Sequence, residues 1–266
     1  VTGLMFLSPC WALQLVLPKS AYQGDMVVGR VLPPTTVFVG DKSRPVSSQG
    51  YFVIGVPRSQ KTDLLVVAKN RGKKTSKTIR ILAYQWRIQR INGLPKRYVN
   101  PQPEALKRIK EDSQRVQTIR QAKHHPVPLI LENGFIRPVK GPITGVFGSQ
   151  RILNEQPRSP HQGVDFSAPL GTPVYSPADG IVRLVANSMY LMGNTLMIDH
   201  GLGVRSIFIH LDSISAKEGI QVEQGQIVAR VGKTGRSTGP HLHWGISVDT
   251  TAIDPIRLLK NSFLKP

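Results

Sequence analysis

Apolar residues between positions 23 and 85 come in short β-type runs, at 26–31, 36–39, 51–56, 63–68 and 75–82. Turn signals such as Gly40-Asp41 and Gln49-Gly50 separate them. Runs of this length and spacing predict a small immunoglobulin-like β-sandwich. The pattern then changes. Residues 101–123 mix Glu with Lys and Arg behind an early proline, which predicts a helix. It is polar on most sides and therefore suits a bridge between domains better than a core. After Pro128, strand-type runs return at 174–175, 181–186, 195–199, 206–210, 226–231 and 241–248, with Gly-containing turns between them. No long amphipathic pattern follows, only the short segment 255–260. The expectation is a mainly β protein whose C-terminal part is an antiparallel sheet rather than a βαβ fold.

Residues 1–17 (VTGLMFLSPCWALQLVL) are apolar, uncharged and interrupted by Pro9. The run is shorter than the ~20 residues of a spanning helix and is similar to the apolar region of a secretory signal. Cys10 and Ala12 are small residues at a cleavage-like position. An ordinary first strand is the alternative. The expected layout is a signal-like segment over 1–20, a β-sandwich over 21–86, a basic linker with a helix over 87–128 and a second β domain over 129–266. The expected location is periplasmic or otherwise exported to the envelope, with no integral membrane span in the mature form.

Composition narrows the chemistry. A single cysteine excludes an intrachain disulfide framework and a Cys-rich zinc finger, so a metal site must use His and carboxylates. The net charge of +19 is unevenly placed. Residues 1–133 carry 22 basic and 7 acidic residues, while residues 134–266 carry 13 and 9 and hold five of the seven histidines. No helix-turn-helix pattern, zinc finger or aromatic RNA-binding signature accompanies the basic half, so no nucleic-acid partner is expected. Anionic envelope polymers are the partner such a half would attract, and a solvated basic face is the plainer reading.

Three segments carry candidate chemistry: Ser159-Pro160-His161-Gln162-Gly163-Val164-Asp165-Phe166, Ile207-Phe208-Ile209-His210-Leu211 and Thr238-Gly239-Pro240-His241-Leu242-His243-Trp244-Gly245. On a strand, His241 and His243 share one face while Leu242 and Trp244 take the other. His161 and Asp165 share a face if their segment is extended, and Gly163 leaves room beside a bound ion. Two imidazoles and one carboxylate suit zinc, with a fourth position open to water. The helical HExxH pattern is absent.

HQGVD, IHL and TGPHLHW resemble the three signature segments of the lysostaphin/LytM-type zinc metallo-endopeptidases, which cut peptide bonds in peptidoglycan. The likeness spans about residues 134–260, including Ala178-Asp179-Gly180, Asp199-His200-Gly201 and Asp254-Pro255. More weakly, the N-terminal half, with Gln89-Arg90-Ile91-Asn92-Gly93-Leu94-Pro95, is similar to exported proteobacterial members with a β domain ahead of the peptidase. The resemblance implies one zinc ion per chain, held by His161, Asp165 and His243. It implies His210 and His241 as catalytic histidines that do not bind the metal, and peptidoglycan peptide stems as substrate. The reaction it implies is hydrolysis of peptide cross-links by attack of a zinc-activated water. A non-catalytic envelope-binding or regulatory protein with a retained zinc site is the alternative, and the presence of all five residues speaks for an enzyme.

Other polar residues have plainer expectations. His200 reads as a turn or supporting residue, Trp244 as a core anchor, and the Gly-Lys-Thr within residues 232–239 as a turn without a phosphate loop's context. The pair His124-His125 reads as an exposed helix end. Asn154 is read as a candidate for touching substrate or covering the zinc.

Overall fold

The computed structural model describes residues 12–122 and 133–259. Of the segment 1–20 read as signal-like, residues 1–11 lie outside them, as does the pair His124-His125, while Gln14–Val16 forms a strand, which is the alternative reading. The protein is mainly β, as its pattern predicts. Two small sheets make the N-terminal sandwich. One runs Gln14–Val16, Met26–Leu32, Tyr51–Gly55, and the other Ser20–Tyr22, Lys73–Leu82, Leu64–Asn70, Thr36–Val39, Lys42–Arg44. Alternation sets their shared core. Val27, Val31, Val37, Phe52, Ile54, Val66, Ala68 and Ile79 point inward from both sheets. The lysines of the long strand Lys73–Leu82 are exposed.

The C-terminal part is built on an eight-stranded sheet in which every pairing is antiparallel. Its order is Ile143–Gly145, Val164–Ser167, His241–Val248, Val204–Leu211, Gly193–Asp199, Gly180–Met189 and Gln221–Val222, with Thr251–Ile253 paired to His241–Val248. Phe166, Phe208, Leu242, Trp244 and Ile246 face the main core, which a smaller sheet of Pro173–Tyr175, Ile227–Arg230 and Ser213–Ile214 helps to enclose. Burying large aromatics such as these is worth roughly 1.5–3 kcal/mol each, so this face holds the sheet rigid under whatever the other face presents. The sandwich docks on the C-terminal part through Val53, which joins the main core, and through Arg257, whose Nη1 lies 2.5 Å from Asp25 Oδ1.

The connecting stretch departs from the expected bridge. Residues Ile88–Ile91 form a strand that pairs in parallel with Gln150–Leu153. The helix Pro103–Gln121 lies on the large sheet's open face and buries Val116 among Leu184, Ala186, Met189, Met197 and Ile207. One narrow apolar stripe on an otherwise polar helix is enough to seat it on a sheet. That stripe is too narrow to dominate the pattern of the sequence.

A candidate metal centre and its cleft

The strand register brings the metal-type donors together. Val164–Ser167 pairs with His241–Val248 so that Asp165 stands directly opposite His243. Cross-strand partners share a face, and here Asp165 Oδ1 lies 2.7 Å from His243 Nδ1. His161 comes from the loop before that strand. Its backbone N–H donates to Ser149 O at 2.9 Å and its carbonyl accepts from Gly148 N at 2.9 Å, which folds the loop back over the sheet. The ring then places Nε2 3.0 Å from Asp165 Oδ1 and 2.9 Å from His243 Nδ1.

Electrostatics distinguish this cluster from an ordinary hydrogen-bond network. His161 Nδ1 faces Val146 O at 3.1 Å, and a carbonyl only accepts, so Nδ1 carries the hydrogen. Nε2 therefore turns a lone pair toward the carboxylate. Lone pairs packed this closely repel unless a cation lies among them, and all three side chains are buried. Burial pushes the Asp165 carboxyl up, but the imidazoles of His161 and His243 beside it outweigh burial and hold the group well below the usual range. Burial pulls His243 down to about 4, so it is neutral and able to donate a lone pair. The donor set fits a zinc ion.

Supporting residues fix these donors. Arg151 Nη2 donates to Asp165 Oδ2 at 2.6 Å, which leaves Oδ1 facing the imidazoles. Gly163 is needed for space. A Cβ there would stand 2.7 Å from His243 Nε2 and 2.4 Å from Trp244 O. The sequence suggested clearance for an ion; the structure shows clearance for the His243 ring.

The other two histidines face each other nearby, with ring centroids 4.8 Å apart. His210 reaches the cleft through a bulge. Leu196 pairs with Phe208 but Asn194 pairs with Leu211, so Val204–Leu211 carries one extra residue, and His210 sits there at φ 65°. Without it His210 would follow Phe208 into the core. Both rings give Nδ1–H to backbone carbonyls, His210 to Thr234 O at 2.8 Å and His241 to Gly239 O at 2.9 Å. Each thus turns the lone pair of Nε2 outward. Burial, then His241 and His243, hold His210 near 3, so it is neutral.

Two cavities flank the cluster. One of about 310 Å³ is walled by Gln89, Ile91, Leu94 and His241, and one of about 460 Å³ by the helix Pro103–Gln121, His161 and His243. Arg151, Arg236 and His210 line both. The basic residues of the cleft carry no motif and went unremarked in the sequence. Their only signal was charge near the His-x-His segment.

The remaining candidates fall elsewhere. His200 is fully buried against Phe135 and bonded to Asp179 O and Ser206 Oγ, away from the cluster. Trp244 is fully buried in the core. Residues 232–239 supply the carbonyls of Thr234 and Gly239 to the two histidines, more than a delivering turn. The reading of Asn154 is corrected. Its amide is engaged at both ends by the Leu94 main chain, at 3.2 and 2.7 Å, and it lines neither cavity.

The candidate site lies within the stretch that resembles known proteins. Residues 159–255 match the model of Peptidase family M23. Peptidoglycan DD-endopeptidase ShyB of Vibrio cholerae serotype O1 is 39% identical over 127 residues, which are 48% of this chain and 27% of that protein. Peptidoglycan DD-endopeptidase ShyA of the same organism is 44% identical over 90 residues, 34% of this chain and 21% of that protein. The matched stretch thus spans about a quarter of the length of these curated relatives. A crystal structure of a Pseudomonas aeruginosa chain assigned to peptidase M23 is similar at TM-score 0.69 and 29% identity, covering 90% of this chain and 94% of that one.

Proposed function

Because the chain carries a domain of peptidase family M23 over residues 159–255, we propose that it is a zinc-dependent endopeptidase that hydrolyses peptide cross-links of peptidoglycan at the cell envelope. The observation that carries this reading is the facing arrangement of the cleft: three buried donors, His161, Asp165 and His243, beside two imidazoles whose Nε2 atoms have no protein partner among the described residues. A binding protein would need the first group and not the second. Relatives named as peptidoglycan DD-endopeptidases support the substrate class.

His161 Nε2, Asp165 Oδ1 and His243 Nδ1 would hold the zinc, with Arg151 keeping the carboxylate in place. Bound there, zinc supplies a Lewis acid that acidifies a water molecule and polarises the scissile carbonyl. Nε2 of His210 or His241 accepts the water's proton. The imidazolium so formed becomes an Nε2–H donor, able to stabilise the oxyanion or protonate the leaving amine. Nδ1–H bonds to Thr234 O and Gly239 O keep both rings aimed throughout. The basic N-terminal half, with Lys73, Lys74 and Lys77 at exposed strand positions, would add salt-sensitive attraction to anionic wall material. Among the described residues no helix is long and apolar enough to cross a membrane.

The test is release of soluble peptides from purified peptidoglycan, followed by chromatography. Chelation should stop release and zinc should restore it. Undiminished release by His161→Ala would sink the ligand set.

A further inference from the structure

The cleft holds more positive charge than the reaction uses. Arg236 sits between the strands Ile227–Arg230 and His241–Val248 and is pinned by its backbone N–H to Leu191 O at 2.9 Å. Arg236 lines both cavities, yet among the described residues its side chain makes a single long hydrogen bond, from Nη1 to Tyr98 O at 3.5 Å. Two more guanidiniums lie close. Arg151 is neutralised by Asp165. Among the described residues Arg158 donates to neutral acceptors, Val99 O at 2.7 Å, Pro157 O at 3.0 Å, Asn100 Oδ1 at 3.3 Å and Gln156 Oε1.

The carboxylates that line the two cavities are Asp165 and Asp112. Asp165 belongs to Arg151 and the imidazoles, and Asp112 Oδ2 accepts the Tyr190 N–H at 2.7 Å. Burial, and then the charges of Arg151 and Arg158, pull Arg236 below its ordinary value. A half-buried cation with like-charged neighbours and, among the described residues, no carboxylate bonded to it is unfavourable on its own. A planar guanidinium fork beside a peptide-sized cavity is the arrangement that recognises a carboxylate.

We propose that Arg236, backed by the positive field of Arg158, is a subsite for a free carboxylate carried close to the scissile bond of the peptide substrate. This rests on the peptidase reading above. It narrows the substrate from any cross-linked peptide to one that presents an anionic group inside the cleft. Zinc and the residues that hold it are not part of the subsite, so the preference is readable in binding as well as in turnover.

The experiment uses one cross-linked peptide in two forms, with its carboxylates free and with them converted to primary amides. Binding is measured by calorimetry on zinc-loaded His241→Ala protein, which keeps the metal donors but slows turnover by about 10²- to 10⁴-fold. Cleavage is measured on the parent. The free form should bind and be cut about 10- to 100-fold better, which is what a hydrogen bond to a charged group is worth. Arg236→Gln should remove that preference by weakening the free form alone, and Arg236→Lys should keep part of it. A parent without preference, or an Arg236→Gln protein that retains it, overturns the subsite. Preferential binding that depends on Arg236, with no cleavage of either form, would uphold the subsite and overturn the peptidase reading. Cleavage of both forms alike would do the reverse. Near-ultraviolet circular dichroism of the glutamine and lysine variants separates loss of recognition from loss of fold.

Discussion

His200 and His210 lie near opposite ends of the strand Val204–Leu211 and are alike by most measures. Both are buried, both have Nδ1 on a backbone carbonyl, and burial pulls one to about 4 and the other to about 3. They differ at the other ring nitrogen. His200 Nε2 lies 2.8 Å from Ser206 Oγ, whose oxygen also accepts Trp244 Nε1–H at 3.2 Å, so the ring is locked into the core. His210 Nε2 has no protein partner among the described residues and faces the cleft. Burial and a lowered pKa therefore do not mark a chemical role. On the proposed reading, the aimed Nε2 is what separates His210 from His200.

The sharpest break between the two ends comes from the metal donors. Asp165→Asn and His161→Ala should abolish bound zinc, measured by elemental analysis, and reduce peptide release to the level of buffer. Changes at the His200 end should leave zinc in place. Next, His210→Ala and His241→Ala should each lower kcat by about 10²- to 10⁴-fold, the range for a general acid or base, while zinc content stays at one ion per chain. His200→Gln should keep its turnover at neutral pH, and a comparable fall in kcat there would erase the contrast.

A third prediction concerns acid. The folded pKa of His200 near 4 lies below the ordinary 6.5, so the unfolded chain takes up the proton first as pH falls. Stability from this group is complete above about 6.5 and is lost between 6.5 and 4, on the order of 3 kcal/mol in all. Urea titrations at pH 7.5 and 4.5 should show a shallower acid loss for His200→Gln than for the parent. Equal slopes would remove His200 from the account. Smallest of all, Ser206→Ala strands Trp244 Nε1–H and His200 Nε2 and should cost about 1–3 kcal/mol in chemical denaturation, with no change in bound metal.

Much of this was legible along the chain. Period-two alternation alone separates His241 and His243 from Leu242 and Trp244, and the strand His241–Val248 keeps that division. The runs of the N-terminal sandwich were visible because turn residues bracket them. Three things were not. The strand Ile88–Ile91 is too short and basic to stand out, and it exists because Gln150–Leu153 offers an edge. The helix Pro103–Gln121 has one buried residue, Val116, too little to announce a packed face. Asn154 reads as a polar residue ahead of the motif, yet a turn at φ 45° directs it to Leu94.

The sequence by itself determined the donor types, their order and the β architecture, because residue chemistry and two-residue periodicity are local properties. Only the tertiary structure decided the rest. Register set Asp165 opposite His243, and a bulge turned His210 out of the core. The folded chain also gathered Arg151, Arg158 and Arg236 around the cleft without enough carboxylates to balance them. Pairing, bulging and charge compensation depend on partners far away in the chain, and no local pattern encodes them.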